Sequence, residues 1–220
     1  MGSERTALVF GATGLVGGYL VDELVKSSEY KSIKVFGRGS NRFEDPKIEF
    51  IQVDFDNLEP YSGSIQGDDL FICLGTTIRK AGSVAAMERI DRDYPVAVAR
   101  IAARNGVRHL AVVSSMGANS SARNYYMRIK GEMEEQIASA GVPYTLIVRP
   151  SMLLGDRKEF RLGEQIGKGF MWLADPFLRG KGAAYRAVHG RKVARAMIRL
   201  IDQNEGVTIC SSDVLQLNGD

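Results

Sequence analysis

The chain has 220 residues, 45% of them hydrophobic, and a formal net charge of +3. That length can bury a full core, and so small a positive charge gives no ground for a nucleic-acid partner. Its longest uncharged run, Thr6 to Val21, is shorter than the roughly 18 apolar residues a membrane span needs and is interrupted by glycine, so no span is expected.

In chain order, Leu8 to Phe10 reads as a short strand and Leu15 to Ser27 as a helix. Strands follow at Ser32 to Phe36, Ile48 to Val53 and Leu70 to Leu74, then a helix from Ser83 to Asn105. A strand from His109 to Ser115, a helix from Ala122 to Ala140 and a strand from Tyr144 to Arg149 complete the regular part. Several of the strands are apolar throughout rather than alternating, which suits parallel strands covered on both faces. Asn105-Gly106 and Ala140-Gly141 are helix stop signals, each just before a strand. This alternation predicts an α/β protein of Rossmann type: a doubly wound, mostly parallel sheet with helices on both faces. After Pro150 the pattern weakens. Residues 151–190 are glycine-rich and read as a small substrate-side region of a single domain, followed by a helix from Arg191 to Asp202 and a strand near Val207 to Cys210.

The first strand breaks into Gly11-Ala12-Thr13-Gly14-Leu15-Val16-Gly17 as the first helix begins. Gly11 can take a turn geometry closed to other residues, Gly14 can bring main chain within reach of a diphosphate, and Gly17 can let the helix pack closely. The helix N-terminus adds unpaired N–H groups and partial positive charge. With a strand before and an amphipathic helix after, this spacing predicts dinucleotide binding. Where NAD-binding folds place an acid at the end of the second strand, this chain has Arg38, with Arg42 nearby. A guanidinium suits a 2′-phosphate, so NADP(H) is expected over NAD(H). Asp54 closes the third strand, either beside the adenine or as a loop cap. Leu74 and Gly75 end the fourth, where Gly75 permits close passage of the cofactor.

The fifth strand ends in Ser114-Ser115, and Tyr126 and Lys130 follow at helical i, i+4 spacing, which puts them on one face. A phenol with a pKa near ~10 is a poor base at neutral pH, and a neighbouring ammonium favours its ionised form. Ser115, preferred here over Ser114, can hold a carbonyl or alcohol oxygen. Tyr125 has no basic residue four positions on. Ser115, Tyr126 and Lys130 are therefore the candidate catalytic group, with Lys130 also available to a nicotinamide ribose.

Together these residues resemble the short-chain dehydrogenase/reductase superfamily in its extended-to-atypical branch. "LGTTIRKAG" (Leu74 to Gly82), "RIDRDY" (Arg89 to Tyr94), "SSMGA" (Ser114 to Ala118), "YMRIKGEME" (Tyr126 to Glu134) and "VRPSMLLGDR" (Val148 to Arg157) resemble the HIV Tat-interacting-protein family of NADPH-binding oxidoreductases and their bacterial relatives. The resemblance implies a Rossmann fold, bound NADPH, Tyr126 as proton donor and acceptor, and cofactor contacts at Thr13 to Val16, Arg38, Leu74, Gly75 and Lys130. It also implies that "RPSMLLG" runs beside the nicotinamide. The chain departs from the superfamily in two ways. Asp91 and Asp93 stand where many members carry an Asn of a proton relay, and only about 70 residues follow Pro150, so a substrate pocket is expected to be small or open.

Two cysteines, Cys73 and Cys210, lie far apart without metal-ligand spacing, so no metal is expected and both read as free thiols. Together with the lack of a basic leader and apolar core at the start, they predict a cytoplasmic protein. Between Ser151 and Leu200 basic residues outnumber acidic ones. They serve either an anionic substrate or acidic partner, or simply a solvated helix face. Met171-Trp172-Leu173 and Phe177-Leu178 read as core or as a pocket cover. His189 and His109 read as structural. The expected function is an NADPH-dependent oxidoreductase acting on a small carbonyl or alcohol, as a monomer or a homodimer paired through the Ser83 and Ala122 helices. An NADPH sensor with little turnover and a sugar-nucleotide epimerase are the alternatives.

Overall fold

The structure is a computed structural model, described here for residues 4–155, 187–203 and 205–220. Its centre is a seven-stranded sheet. The strands are β1 (Arg5–Phe10), β2 (Tyr30–Gly37), β3 (Ile48–Gln52), β4 (Asp69–Ile72), β5 (His109–Val113), β6 (Tyr144–Arg149) and β9 (Gly206–Ser211). Their order is β3-β2-β1-β4-β5-β6-β9, and every neighbouring pair is parallel. The chain runs outward from β1 to β3, then returns to the other side of β1 with β4. The boundary between β1 and β4 is therefore the topological switch point, where open α/β sheets leave a crevice at their carboxyl edge.

Apolar strands covered on both faces explain the uniform sequence runs. Ala7 and Val9 of β1 face α1 (Leu15–Lys26) and α6 (Gly190–Leu200), packing with Leu20, Leu24, Val193 and Met197. Leu8 and Phe10 face the other side, with Val98 and Ile101 of α4 (Tyr94–Arg104) and Met133 and Ile137 of α5 (Tyr125–Ala138). All four β1 residues are fully buried. Each large side chain among them contributes about 1.5–3 kcal/mol. Phe10 stacks on Phe36 with ring centroids 4.4 Å apart.

Three boundaries differ from the sequence reading for identifiable reasons. The helix expected over Ser83 to Asn105 is α3 (Val84–Glu88), a π-helical turn (Arg89–Asp93) and α4. Pro95 has no N–H and would crowd the carbonyl of Asp91 four residues back. The ladder accommodates it by widening, so that Tyr94 N–H donates to the carbonyl of Arg89. Second, α5 starts at Tyr125 rather than Ala122 because Asn124 caps it, its side chain accepting from Met127 N–H at 3.1 Å. Third, β7 (Leu153–Leu154) pairs in parallel with β8 (Val188–His189), and α7 (Ser212–Asn218) follows β9; neither is visible in the residue pattern. A short α2 (Ile78–Ala81) follows the β4 loop. Among the described residues no helix is long and apolar enough to cross a membrane. Met171-Trp172-Leu173 and Phe177-Leu178 lie outside the described residues, as do the basic residues from Arg157 to Arg186.

The basic residues of α6 are engaged within the fold. Arg191 and Arg195 pair with Glu23 of α1 at 2.6 and 3.0 Å, Lys192 pairs with Asp220, and Arg199 donates to the Asp220 carbonyl at 2.9 Å. His189 caps α6 by accepting from Arg191 N–H, and its ring lies against Tyr19. His109, at the opposite edge of the sheet, bonds the fully buried Asp69, which also takes Arg5 and Tyr30. Burial would raise the Glu23 pKa, but the hydrogen bonds from Arg195 and Arg191 outweigh it and hold the carboxyl below its usual value. The stability this adds is present above about pH 4.5 and fades as Glu23 protonates below it. Glu23→Gln should lower the melting temperature at neutral pH by about 2–4 °C, the equivalent of about 1 kcal/mol. The gap to the parent should close below about pH 3 in a pH series of thermal melts.

Candidate functional site

The carboxyl edge at the β1/β4 boundary is built on backbone contact. Gly11 has φ +89°, and a Cβ there would sit 2.5 Å from the Cys73 carbonyl oxygen. Gly17 is closed too, since its Cβ would lie 2.2 Å from the Gly11 carbonyl oxygen. Gly14 differs. Its φ of −79° and ψ of 173° suit any residue, and a Cβ would meet nothing nearer than the Gly11 oxygen at 3.3 Å. Two glycines thus close the turn, and the third borders open space. Thr13 and Gly14 are exposed, α1 has no side-chain cap, and no acidic residue occupies its first turn. The first N–H groups of α1 remain available to an anion at this edge.

Gly75 follows β4 on the other side of the boundary. A Cβ there would lie 3.3 Å from Asp91 Oδ1 and 4.0 Å from Lys130 Nζ. Lys130, 2% exposed, pairs with the fully buried Asp91 at 2.9 Å, and Thr76 N–H donates to the other Asp91 oxygen at 2.9 Å. Burial alone would lower the Lys130 pKa; Asp91 first, then Tyr126 and Glu134, reverse that and raise it. Tyr126 is half-buried, one turn before Lys130 in the first turn of α5. Tyr125 turns to Glu88 and the Arg128 guanidinium instead.

The two serines separate clearly. Ser114 is buried, and its hydroxyl donates to Glu134, which also receives Arg149 at 3.0 and 2.5 Å. Ser115 is half-buried, and among the described residues its hydroxyl makes only a 3.4 Å contact to the Met116 carbonyl. The chain after β6 returns beside it, Met116 N–H donating to the Pro150 carbonyl at 3.0 Å. Gly11, Gly14, Gly17, Leu74, Gly75 and Lys130 therefore border one edge, with Ala12 and Val16 buried beneath it.

Arg38 is exposed just past β2, its side chain without an ion-pair partner among the described residues, and Arg42 is exposed beyond it. Asp54 caps its own turn, accepting from Asp56 N–H at 3.0 Å, the loop-cap alternative of the sequence reading. Cys73 and Cys210 are free; burial pushes the Cys73 thiol up to about 12, which leaves it unreactive at neutral pH. The pairing of Lys130 with Asp91 was missed in the sequence. No local pattern signals it, because the two residues lie far apart in sequence on different elements.

The fold and this edge define a dinucleotide-binding protein, and comparison with known proteins identifies the family. Residues 11–204 match a family described as NAD(P)H-binding, and the chain belongs to it. It is 34% identical to Protein HTATIP2 of Rattus norvegicus over 202 residues, covering 89% of this chain and 80% of that protein. It is also 34% identical to the mitochondrial protein FMP52 of Candida albicans, covering 80% of each. The solved structure of MoeE5 in complex with UDP-glucose and NAD superposes with a TM-score of 0.70 at 16% identity, covering 93% of this chain and 74% of that one. The family likeness expected from the motifs holds. The cytoplasmic placement does not: fungal relatives are named as mitochondrial proteins, and that expectation is withdrawn. Free cysteines occur in more than one reducing compartment and so do not by themselves place a protein.

The glycine geometry yields a direct test. Gly14→Ala should melt within about 2 °C of the parent yet bind NADPH at least about tenfold more weakly by fluorescence titration, a cost of about 1.4 kcal/mol. Gly17→Ala should instead lose about 2 kcal/mol or more of stability, because its Cβ meets backbone. Unchanged NADPH affinity in Gly14→Ala would remove that residue from the binding edge.

Proposed function

We propose that the protein is an NADPH-dependent oxidoreductase that interconverts a small carbonyl compound and its alcohol. One observation carries the reading: the buried Lys130 ammonium lies beside Gly75 at the β1/β4 boundary, on the α5 face that also bears Tyr126. The open cradle at Gly14 and the uncapped start of α1 fit a diphosphate there, and the Gly75 position leaves room for the dinucleotide to pass.

A nicotinamide dinucleotide supplies the hydride when bound. The protein's residues position the oxygen and handle the proton. The Ser115 hydroxyl holds the substrate oxygen; Ser114 is already committed to Glu134. Tyr126 gives its phenolic proton to that oxygen in reduction and takes it back in oxidation. Lys130 offsets the negative charge left on Tyr126 as the proton leaves, and it is available to a ribose hydroxyl. Arg38, with Arg42 behind it, receives the 2′-phosphate, which is the basis for preferring NADPH over NADH. Ser115, Tyr126 and Lys130 are the catalytic residues in this reading. Ala12, Thr13, Leu15, Val16 and Leu74 complete the cofactor edge. The domain expected over residues 1–220, with 151–190 on the substrate side, belongs to the same proposal.

Tyr126→Phe should keep NADPH affinity within about twofold while lowering turnover on an aldehyde and ketone panel by about 10²-fold or more. Unchanged turnover would remove Tyr126 from the mechanism. Arg38→Asp should weaken NADPH binding by at least about tenfold while leaving NADH within about threefold. Equal losses for both cofactors would refute the phosphate assignment.

A further inference from the structure

We propose that Asp91 is a positioning residue that fixes Lys130 against the β4 loop and supplies the counter-charge for its buried ammonium. The assignment rests on the reading of Lys130 as a residue of the reactive edge. Asp91 sits on the π-helical turn Arg89–Asp93, just before Pro95. It is fully buried, and its two oxygens take two different partners. Oδ2 accepts from Thr76 N–H at 2.9 Å, which anchors the loop carrying Leu74 and Gly75. Oδ1 lies 2.9 Å from Lys130 Nζ in a buried ion pair. One carboxylate thus joins the loop that borders the cofactor edge to the lysine that serves the phenol.

The surroundings of Lys130 leave this task to Asp91. On its own helix it faces Tyr126 and Glu134; across from it stand Asp91 on the π-helical turn and the uncharged Gly75. The Glu134 charge is taken by Arg149, which donates to both of its oxygens, and by the Ser114 hydroxyl. Asp91 has no cation but Lys130 among the described residues. An ammonium 2% exposed cannot hold its charge without such a partner. An asparagine at this position would keep the oxygen that Thr76 needs and lose the charge. The acid therefore does what a neutral amide would not: it supplies a full counter-charge at 2.9 Å that holds the ammonium charged before any ligand arrives.

The experiment uses the full chain labelled at lysine Cε with carbon-13, with Lys130→Met assigning the resonance. In the parent, the Lys130 signal should stay at its ammonium position through pH 10.5, the ordinary lysine value. In Asp91→Asn it should pass to the amine position at least two pH units lower. NADPH affinity of the variant should fall at least fivefold as pH rises through that new midpoint, where the parent stays level. The same midpoint in both proteins would overturn the proposal. If Asp91→Asn does not fold, a parent Lys130 that titrates at or below the ordinary value would overturn it. The oxidoreductase reading fails separately: if the parent reduces nothing on the carbonyl panel but Lys130 titrates as stated, the Asp91 assignment stands without it.

Discussion

Two strand ends meet at the centre of this protein with almost no space between them. The Cys73 carbonyl oxygen lies 2.5 Å from where any larger residue at Gly11 would place its Cβ, and the Gly11 oxygen lies 2.2 Å from the same point at Gly17. This contact sets the distance between the first crossover and the β4 loop. It brings the uncapped start of α1 beside Gly75, and Gly75 in turn borders Asp91 and Lys130. No side chain intervenes, so the crevice is defined by backbone, the least adjustable part of the structure.

Charge is distributed across that edge in a definite way. At the start of α1 no side chain caps the helix and no acid occupies its first turn, which favours an anion. Around α5 there are two buried carboxylates, Asp91 and Glu134, each matched to a cation. Breaking such a buried pair by removing one partner costs about 3–5 kcal/mol, far more than the pair itself adds to stability, so each is a geometric fixture more than a source of stability. Glu134 ties α5 to the ends of β5 and β6, and that anchor sets where Tyr126 and Ser115 stand relative to each other.

The sheet was legible because its strands are apolar on both faces; Leu8 to Phe10 and Leu70 to Ile72 admit no other reading once helices alternate with them. The glycine turn was legible for the same local reason. Features that depend on long-range partners were not. Nothing near Ser114 in sequence reveals that Glu134, twenty residues on, would claim its hydroxyl. The basic residues of α6 read as serving either an anion or a solvated helix face, and packing instead places Glu23 and Asp220 against them. Asp91 was noticed only as a departure from a familiar pattern, because its partner Lys130 lies on a different helix, across a turn whose widening a proline causes.

The central claim is that the backbone crevice at the β1/β4 boundary seats a dinucleotide with its reactive ring against α5. A crystal structure of the protein with NADPH tests it most directly. The account predicts the diphosphate on the amides that open α1, the 2′-phosphate at Arg38, and the nicotinamide ring beside Tyr126. A nucleotide bound elsewhere, or a nicotinamide directed away from Tyr126 and Lys130, would contradict it.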